Sequence, residues 1–118
     1  MAVTDVFTGV AAADYDSALS WYERLMGRPP DVLPKEHEAG WELSENGWIY
    51  LVGDDAERAG KALLTLVVDD LPDFVGSVAE RGIEPGEVAT VPGVVRTAVL
   101  TDPEGNRLIF AEDLGADF

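Results

Sequence analysis

One histidine, no cysteine and 23 acidic residues limit the chemistry open to this 118-residue chain. Without Cys there is no disulfide and no thiolate nucleophile or ligand. His37 stands between Glu36 and Glu38, residue types that can hold a metal. In an extended segment, however, the two carboxylates share one face and the imidazole takes the other, so the three do not converge and read as a solvated run. Nucleophilic catalysis needs a hydroxyl within hydrogen-bond reach of a base. Ser17, Ser20, Ser44 and Ser77 fall on helices or a turn remote in sequence from His37. No Gly-rich phosphate loop follows a strand. Some carboxylate pair suited to acid–base work is inevitable among 23 acids, and that abundance singles out none. Rings are more informative. Alternation along Trp48-Ile49-Tyr50-Leu51-Val52 puts Trp48, Tyr50 and Val52 on one face of a strand and Ile49 with Leu51 on the other. Indole and phenol faces offer stacking and cation–π surfaces to planar or cationic guests.

The elements that must position these rings form a pattern written twice. An apolar strand, Val3 to Ala12, leads into Asp14 and a helix whose stripe is Tyr15, Ala18, Leu19, Tyr22 and Met26. Asp14 suits the N-cap and Gly27 the left-handed residue that ends a helix. In the second copy Ala62 to Val68 is the strand, Asp70 the cap, Leu71, Phe74, Val75 and Val78 the stripe, and Gly82 the stop. Three strands are expected after each helix. In the first unit they are Pro29 to Glu38, Gly40 to Ser44 and Trp48 to Gly53, the last two joined by the hairpin signal Glu45-Asn46-Gly47. In the second they are Ile83 to Thr90, Val94 to Thr101 and Arg107 to Glu112, with a type I turn at Asp102-Pro103-Glu104-Gly105. The expected architecture is α+β: two tandem βαβββ modules forming a curved, eight-stranded mixed sheet around a cleft. Module 1 spans about 1–53, a polar linker 54–60, and module 2 about 61–118, all in a single domain.

Composition narrows the classes. A chain of this length buries roughly two thirds of its unfolded surface without staples. The formal charge of −15 repels phosphate backbones and anionic lipid, so neither nucleic acid nor a membrane surface is an expected partner. No apolar run approaches the 18 residues of a membrane span and no leader pattern opens the chain, so a cytoplasmic location is the expectation.

The run Asp14-Tyr15-Asp16-Ser17-Ala18-Leu19-Ser20-Trp21-Tyr22, followed by Leu25-Met26-Gly27, resembles the first helix of the vicinal oxygen chelate superfamily. That group includes glyoxalase I, bleomycin-resistance proteins, fosfomycin-resistance enzymes and extradiol dioxygenases. Asp102-Pro103-Glu104-Gly105-Asn106 resembles its last hairpin, and the resemblance covers nearly the whole chain. It implies strands curved about a cleft, with metal ligands on them in the metal-dependent members. Those four positions fall at Phe7, near Tyr50, at Leu63 and at Ile109. Phe, Leu and Ile offer no lone pair and a lone phenol is a poor ligand, so neither a metal nor another cofactor is expected.

By the same resemblance, Tyr50 at a ligand position turns Trp48 and Val52 toward the cleft. Phe7 and Gly9 join from the first strand, and Arg107, Ile109 and Ala111 from the last. The candidate ligand-binding residues are Phe7, Trp41, Trp48, Tyr50, Arg96, Arg107 and Ile109, whereas Tyr15, Tyr22, Phe74 and Phe110 are expected in the core. Three functions stay open. One is a metal-independent protein binding a small, largely apolar or aromatic molecule, neutral or cationic, as in the bleomycin-resistance branch. Another is a metal-free lyase or isomerase using a carboxylate or Arg in the same cleft. The third is an interaction module with no ligand of its own. A homodimer is expected, because open sheet edges and a half-covered cleft call for a partner.

Overall fold

Two capped helices divide the chain as the pattern requires. The computed structural model describes residues 1–118. Helix α1 (Tyr15–Met26) starts where the Asp14 carboxylate accepts the Ser17 backbone N–H at 3.3 Å and its hydroxyl at 2.8 Å. It stops at Gly27, whose φ of 70° lets its N–H close on the Glu23 carbonyl. Helix α2 (Leu71–Glu80) is capped by Asp70 on the Asp73 N–H at 3.0 Å, and Gly82 follows its last turn at φ 84°. No helix is long and apolar enough to cross a membrane.

Seven strands form around these helices. They are β1 (Val6–Ala11), β2 (Glu38–Ser44), β3 (Gly47–Val52), β4 (Leu63–Val67), β5 (Val88–Val91), β6 (Val95–Thr101) and β7 (Arg107–Asp113). One sheet runs β1-β3-β2 and the other β4-β7-β6-β5, each with a single parallel pair, β1 with β3 and β4 with β7. This is the mixed α+β architecture expected, except that the strands form two separate sheets rather than one continuous sheet, and two of the expected strands differ. The eighth strand, expected in Pro29–Glu38, reduces to one bridge between Val32 and Gly40. Pro29, Pro30 and Pro34 have no N–H for a ladder, and His37 has a φ of 59°. The expected Ile83–Thr90 strand likewise starts only at Val88, after Pro85, and Ile83 is instead buried in the core.

One cluster of 19 buried residues draws on both units. Tyr15, Ala18, Trp21, Tyr22 and Leu25 of α1 share it with Val10, Trp41, Ile49 and Leu51 of the first sheet. Leu71 and Val78 of α2 share it with Ala98, Leu100, Leu108 and Phe110 of the second. Phe110 stacks on Phe74 with ring centres 4.2 Å apart.

The units are joined by the turn before β7. Its backbone closes with the Gly105 N–H on the Asp102 carbonyl at 3.1 Å. The buried Asp102 carboxylate accepts the Tyr22 hydroxyl at 2.7 Å and the backbone N–H groups of Glu104 and Asn106 at 2.9 Å. Asn106, fully buried, donates to the Ala11 carbonyl at the end of β1 and accepts the Ala62 N–H just before β4. Glu104 accepts the N–H groups of Ala13 and Asp14 at 3.0 Å, at the entry to α1. Burial, reinforced by the Asp102 carboxylate, pushes the Tyr22 phenol far above its ordinary range, so it remains a donor.

Candidate functional site

Pairing of β1 with β3 sets the rings beside one another. Phe7 is in register with Trp48 and Gly9 with Tyr50, while Val10, Ile49 and Leu51 pack beneath them in the core. Phe7 stacks on Trp48 with centroids 5.1 Å apart and planes 11° from parallel, and meets Tyr50 edge-on at 6.0 Å. Phe7 nevertheless keeps 51% of its surface exposed, so this cluster is a platform rather than a core. The Trp48 indole N–H is held by Asp5 at 3.2 Å. Gly9 makes room for Tyr50, because a Cβ there would lie 3.2 Å from the phenol ring.

Beside Tyr50 opens a cavity of about 580 Å³. Gly9, Val10, Ala11, Val52 and Ala62 give its apolar lining, and Lys35, Arg58, Lys61, Glu38 and Asp55 its charged one. Asp55 is bound to Arg58 through the guanidinium at 2.6 Å and the backbone N–H at 3.1 Å. That contact holds the Asp55 carboxyl below its ordinary range. Lys61 donates to the Glu57 carbonyl at 2.7 Å, whereas the Lys35 ammonium makes neither ion pair nor hydrogen bond. His37, next to the lining residue Glu38, stacks on Tyr15 at 5.0 Å and meets Asp54 at 2.5 Å. The Asp54 carboxylate raises the imidazole above its ordinary value.

The structure sorts the candidate ligand-binding residues into three groups. Phe7, Trp48 and Tyr50 come together as expected, and Tyr50 lines the cavity. Two candidates are on the wrong side of their sheets. Trp41 is paired with Ile49 in β3, which turns it toward α1; it is fully buried, with its indole N–H on the Arg28 carbonyl at 3.2 Å. Arg96 is paired with Glu112, on the face that Ala98 and Leu100 share with Phe110 and Leu108. There it contacts the Glu112 carboxylate at 3.7 Å, and that carboxylate also accepts the first N–H of α2. Arg107 and Ile109 do alternate to the opposite face of β7, but they do not line the Tyr50 cavity. Lys35, Glu38, Asp55, Arg58, Lys61 and Ala62 line it instead. The available signal for these was that both lysines of the chain stand within three residues ahead of a strand, Lys35 before β2 and Lys61 before β4.

No protein-family model matches the chain, and no curated protein does. Among solved structures, a glyoxalase/bleomycin resistance protein from Catenulispora acidiphila shares 38% identity over 93% of this chain and 98% of its own, with a TM-score of 0.87. The chain belongs to the glyoxalase/bleomycin resistance protein family. More distant members of the fold are TnmS3, an antibiotic binding protein from Streptomyces sp. CB03234, and a lactoylglutathione lyase from Agrobacterium tumefaciens. TnmS3 shares 22% identity over 96% and 98% of the two chains with a TM-score of 0.78, and the lyase 18% over 96% of each with a TM-score of 0.76.

The four positions that the resemblance assigns to the metal set fall at Phe7, near Tyr50, at Leu63 and at Ile109. No group of three or more His, Cys, Asp or Glu side chains is placed to hold a metal elsewhere. Phe7, Leu63 and Ile109 have no lone pair to offer a divalent ion at those positions.

Proposed function

We propose that this family member is a metal-independent binding protein that takes a small, flat, largely apolar or aromatic molecule against Tyr50, Phe7 and Trp48. The observation that carries this reading is the ring platform itself, left open beside a cavity of about 580 Å³ instead of being closed over by the chain's own side chains. A cavity of this size falls within the range that small ligands use. The likeness in fold to TnmS3, an antibiotic binding protein, points in the same direction. An interaction module without a ligand would have its cleft filled from within, which this cavity argues against.

Titration with planar aromatic compounds, followed by intrinsic Trp fluorescence, tests the reading. Each ring contact contributes roughly 0.5–1.5 kcal/mol beyond area, so Trp48→Ala and Tyr50→Ala should each weaken binding about 2- to 12-fold with the fold unchanged by circular dichroism. A panel that leaves the emission unchanged would sink it. Metal independence has its own check. Elemental analysis of protein prepared without a purification tag should find only traces of Zn, Ni, Fe and Mn, and one tightly held ion per chain would contradict the assignment.

A further inference from the structure

Local charge at the cavity runs against the charge of the whole chain. The net formal charge is −15, yet three cations and two carboxylates line this one cavity. The other five cations are placed elsewhere. Arg24, Arg28 and Arg81 gather at the C-terminal end of α1, where Arg81 donates to the carbonyls of Arg24 and Leu25 and Arg28 pairs with Asp31 at 3.0 Å. Cations suit that end of a helix, and their presence there needs no ligand. Arg96 contacts Glu112, and Arg107 is exposed at the start of β7. At the cavity Asp55 neutralises Arg58, which leaves both lysines of the chain and the single carboxylate of Glu38 on the lining. Lys61 is bonded only to a neutral carbonyl and Lys35 to nothing, so neither charge is compensated by its own contacts.

We infer that the guest of this cavity is a planar aromatic carboxylate, its ring against Tyr50 and its acid group between Lys35 and Lys61. The inference rests on the cavity being the binding site and adds the charge of what fills it. It replaces the cationic guest that the overall acidity suggests. Distant carboxylates are screened beyond about 8 Å at physiological salt, whereas a direct contact with the ammonium of Lys35 or Lys61, both exposed at the cavity mouth, lies inside that distance. The nearest groups therefore decide which sign of charge binds. A carboxylate accepts from two ammonium groups at once, and the apolar lining of Gly9, Ala11, Val52 and Ala62 accommodates a flat hydrocarbon.

The test uses three probes of one shape: 2-naphthoate, the neutral 2-naphthamide and the 2-naphthylmethylammonium cation. Affinity is measured by calorimetry at 0.15 M salt, and the backbone resonance of Gly9 locates the site. Naphthoate should bind roughly tenfold more tightly than the amide, and the ammonium should bind most weakly. Lys35→Gln and Lys61→Gln should each weaken naphthoate binding about fivefold and leave the amide unchanged. Arg24→Gln removes the same charge from an exposed site at the other cluster and should change neither. Gly9→Val, which drives a side chain into the Tyr50 ring, should weaken naphthoate and amide alike. If the ammonium matches or exceeds the naphthoate while the Gly9 resonance moves, the cavity is a binding site and the anionic assignment is wrong. A naphthoate preference that survives both lysine variants overturns the lysines as its cause. If no probe moves Gly9, the cavity is not the site and both readings fall.

Discussion

His37 occupies a conformation, φ 59°, that a non-glycine residue rarely adopts, and its partner Asp54 is similar at φ 56°. The strained pair is held by the Asp54 contact, by the stack on Tyr15 and by the Gly53 N–H on the His37 carbonyl at 2.8 Å. It ties the segment carrying Lys35 and Glu38 to the segment carrying Asp55 and Arg58, so both charged walls of the cavity depend on it. Because the folded state raises the His37 pKa, the contribution is fully present below the unfolded value of about 6.5. It is lost as pH rises through the higher folded value. As the only histidine, His37 gives a single imidazole resonance whose titration midpoint should lie above about 6.5. Asp54→Asn keeps the backbone requirement and removes the charge. It should return that midpoint toward the ordinary value, and the thermal-midpoint difference from the parent should be largest at acid pH and vanish in alkali. A midpoint left unchanged by Asp54→Asn would show that Asp54 does not act on the ring.

The turn preceding β7 does more than reverse the chain, since Asp102, Glu104 and Asn106 each bond across to the first unit. Removing the Asn106 amide would leave the Ala11 carbonyl and the Ala62 N–H without their bonds, each at a cost of about 1–3 kcal/mol. Asn106→Ala should therefore lower stability by at least about 2 kcal/mol in denaturant unfolding. Phe110→Ala, which empties the stack on Phe74, should cost roughly 3–5 kcal/mol. Losses below about 1 kcal/mol in both would show that the core does not rely on either contact. How much of this could be read beforehand follows the range of the forces involved. Caps, the Asn46-Gly47 hairpin and the inward phase of Ile49 and Leu51 depend on neighbours in sequence, and all are observed. The side taken by Trp41 depends on pairing with β3, complicated by an irregularity between Glu42 and Ser44, and that of Arg96 on pairing with β7. Neither phase is encoded locally, and the structure turns both residues toward the core side of their sheets. The cavity lysines come from segments outside any strand, so no periodicity marks them.

At the scale of the molecule, two separate sheets leave four outer strands, and the second sheet presents apolar side chains that nothing in the chain covers. Leu63 and Val67 keep 65% and 56% of their surface exposed, and Val6 at the start of β1 keeps 60%. Leu63 and Val67 alternate with Leu64 and Leu66, which face inward, so their exposure is the uncovered face of β4 and not a failure of the core. Uncovered apolar faces of this kind are sites of association, and unpaired edges favour the same outcome. A second copy of the chain is the expected cover. Light scattering at micromolar concentration should return about twice the 12.7 kDa chain mass. Leu63→Glu combined with Val67→Glu places two charges on the exposed face, leaves Leu64 and the core untouched, and should return the monomer mass with unchanged circular dichroism. Binding of an aromatic probe separates the two roles of the molecule, because the cavity is lined by residues of the first sheet and by Lys35, Asp55, Arg58, Lys61 and Ala62, not by Leu63 or Val67. If the double variant is monomeric and still binds, each chain carries a complete site. If the parent itself is monomeric at these concentrations, the dimer is wrong, and the exposed face of β4 must find its partner outside this chain.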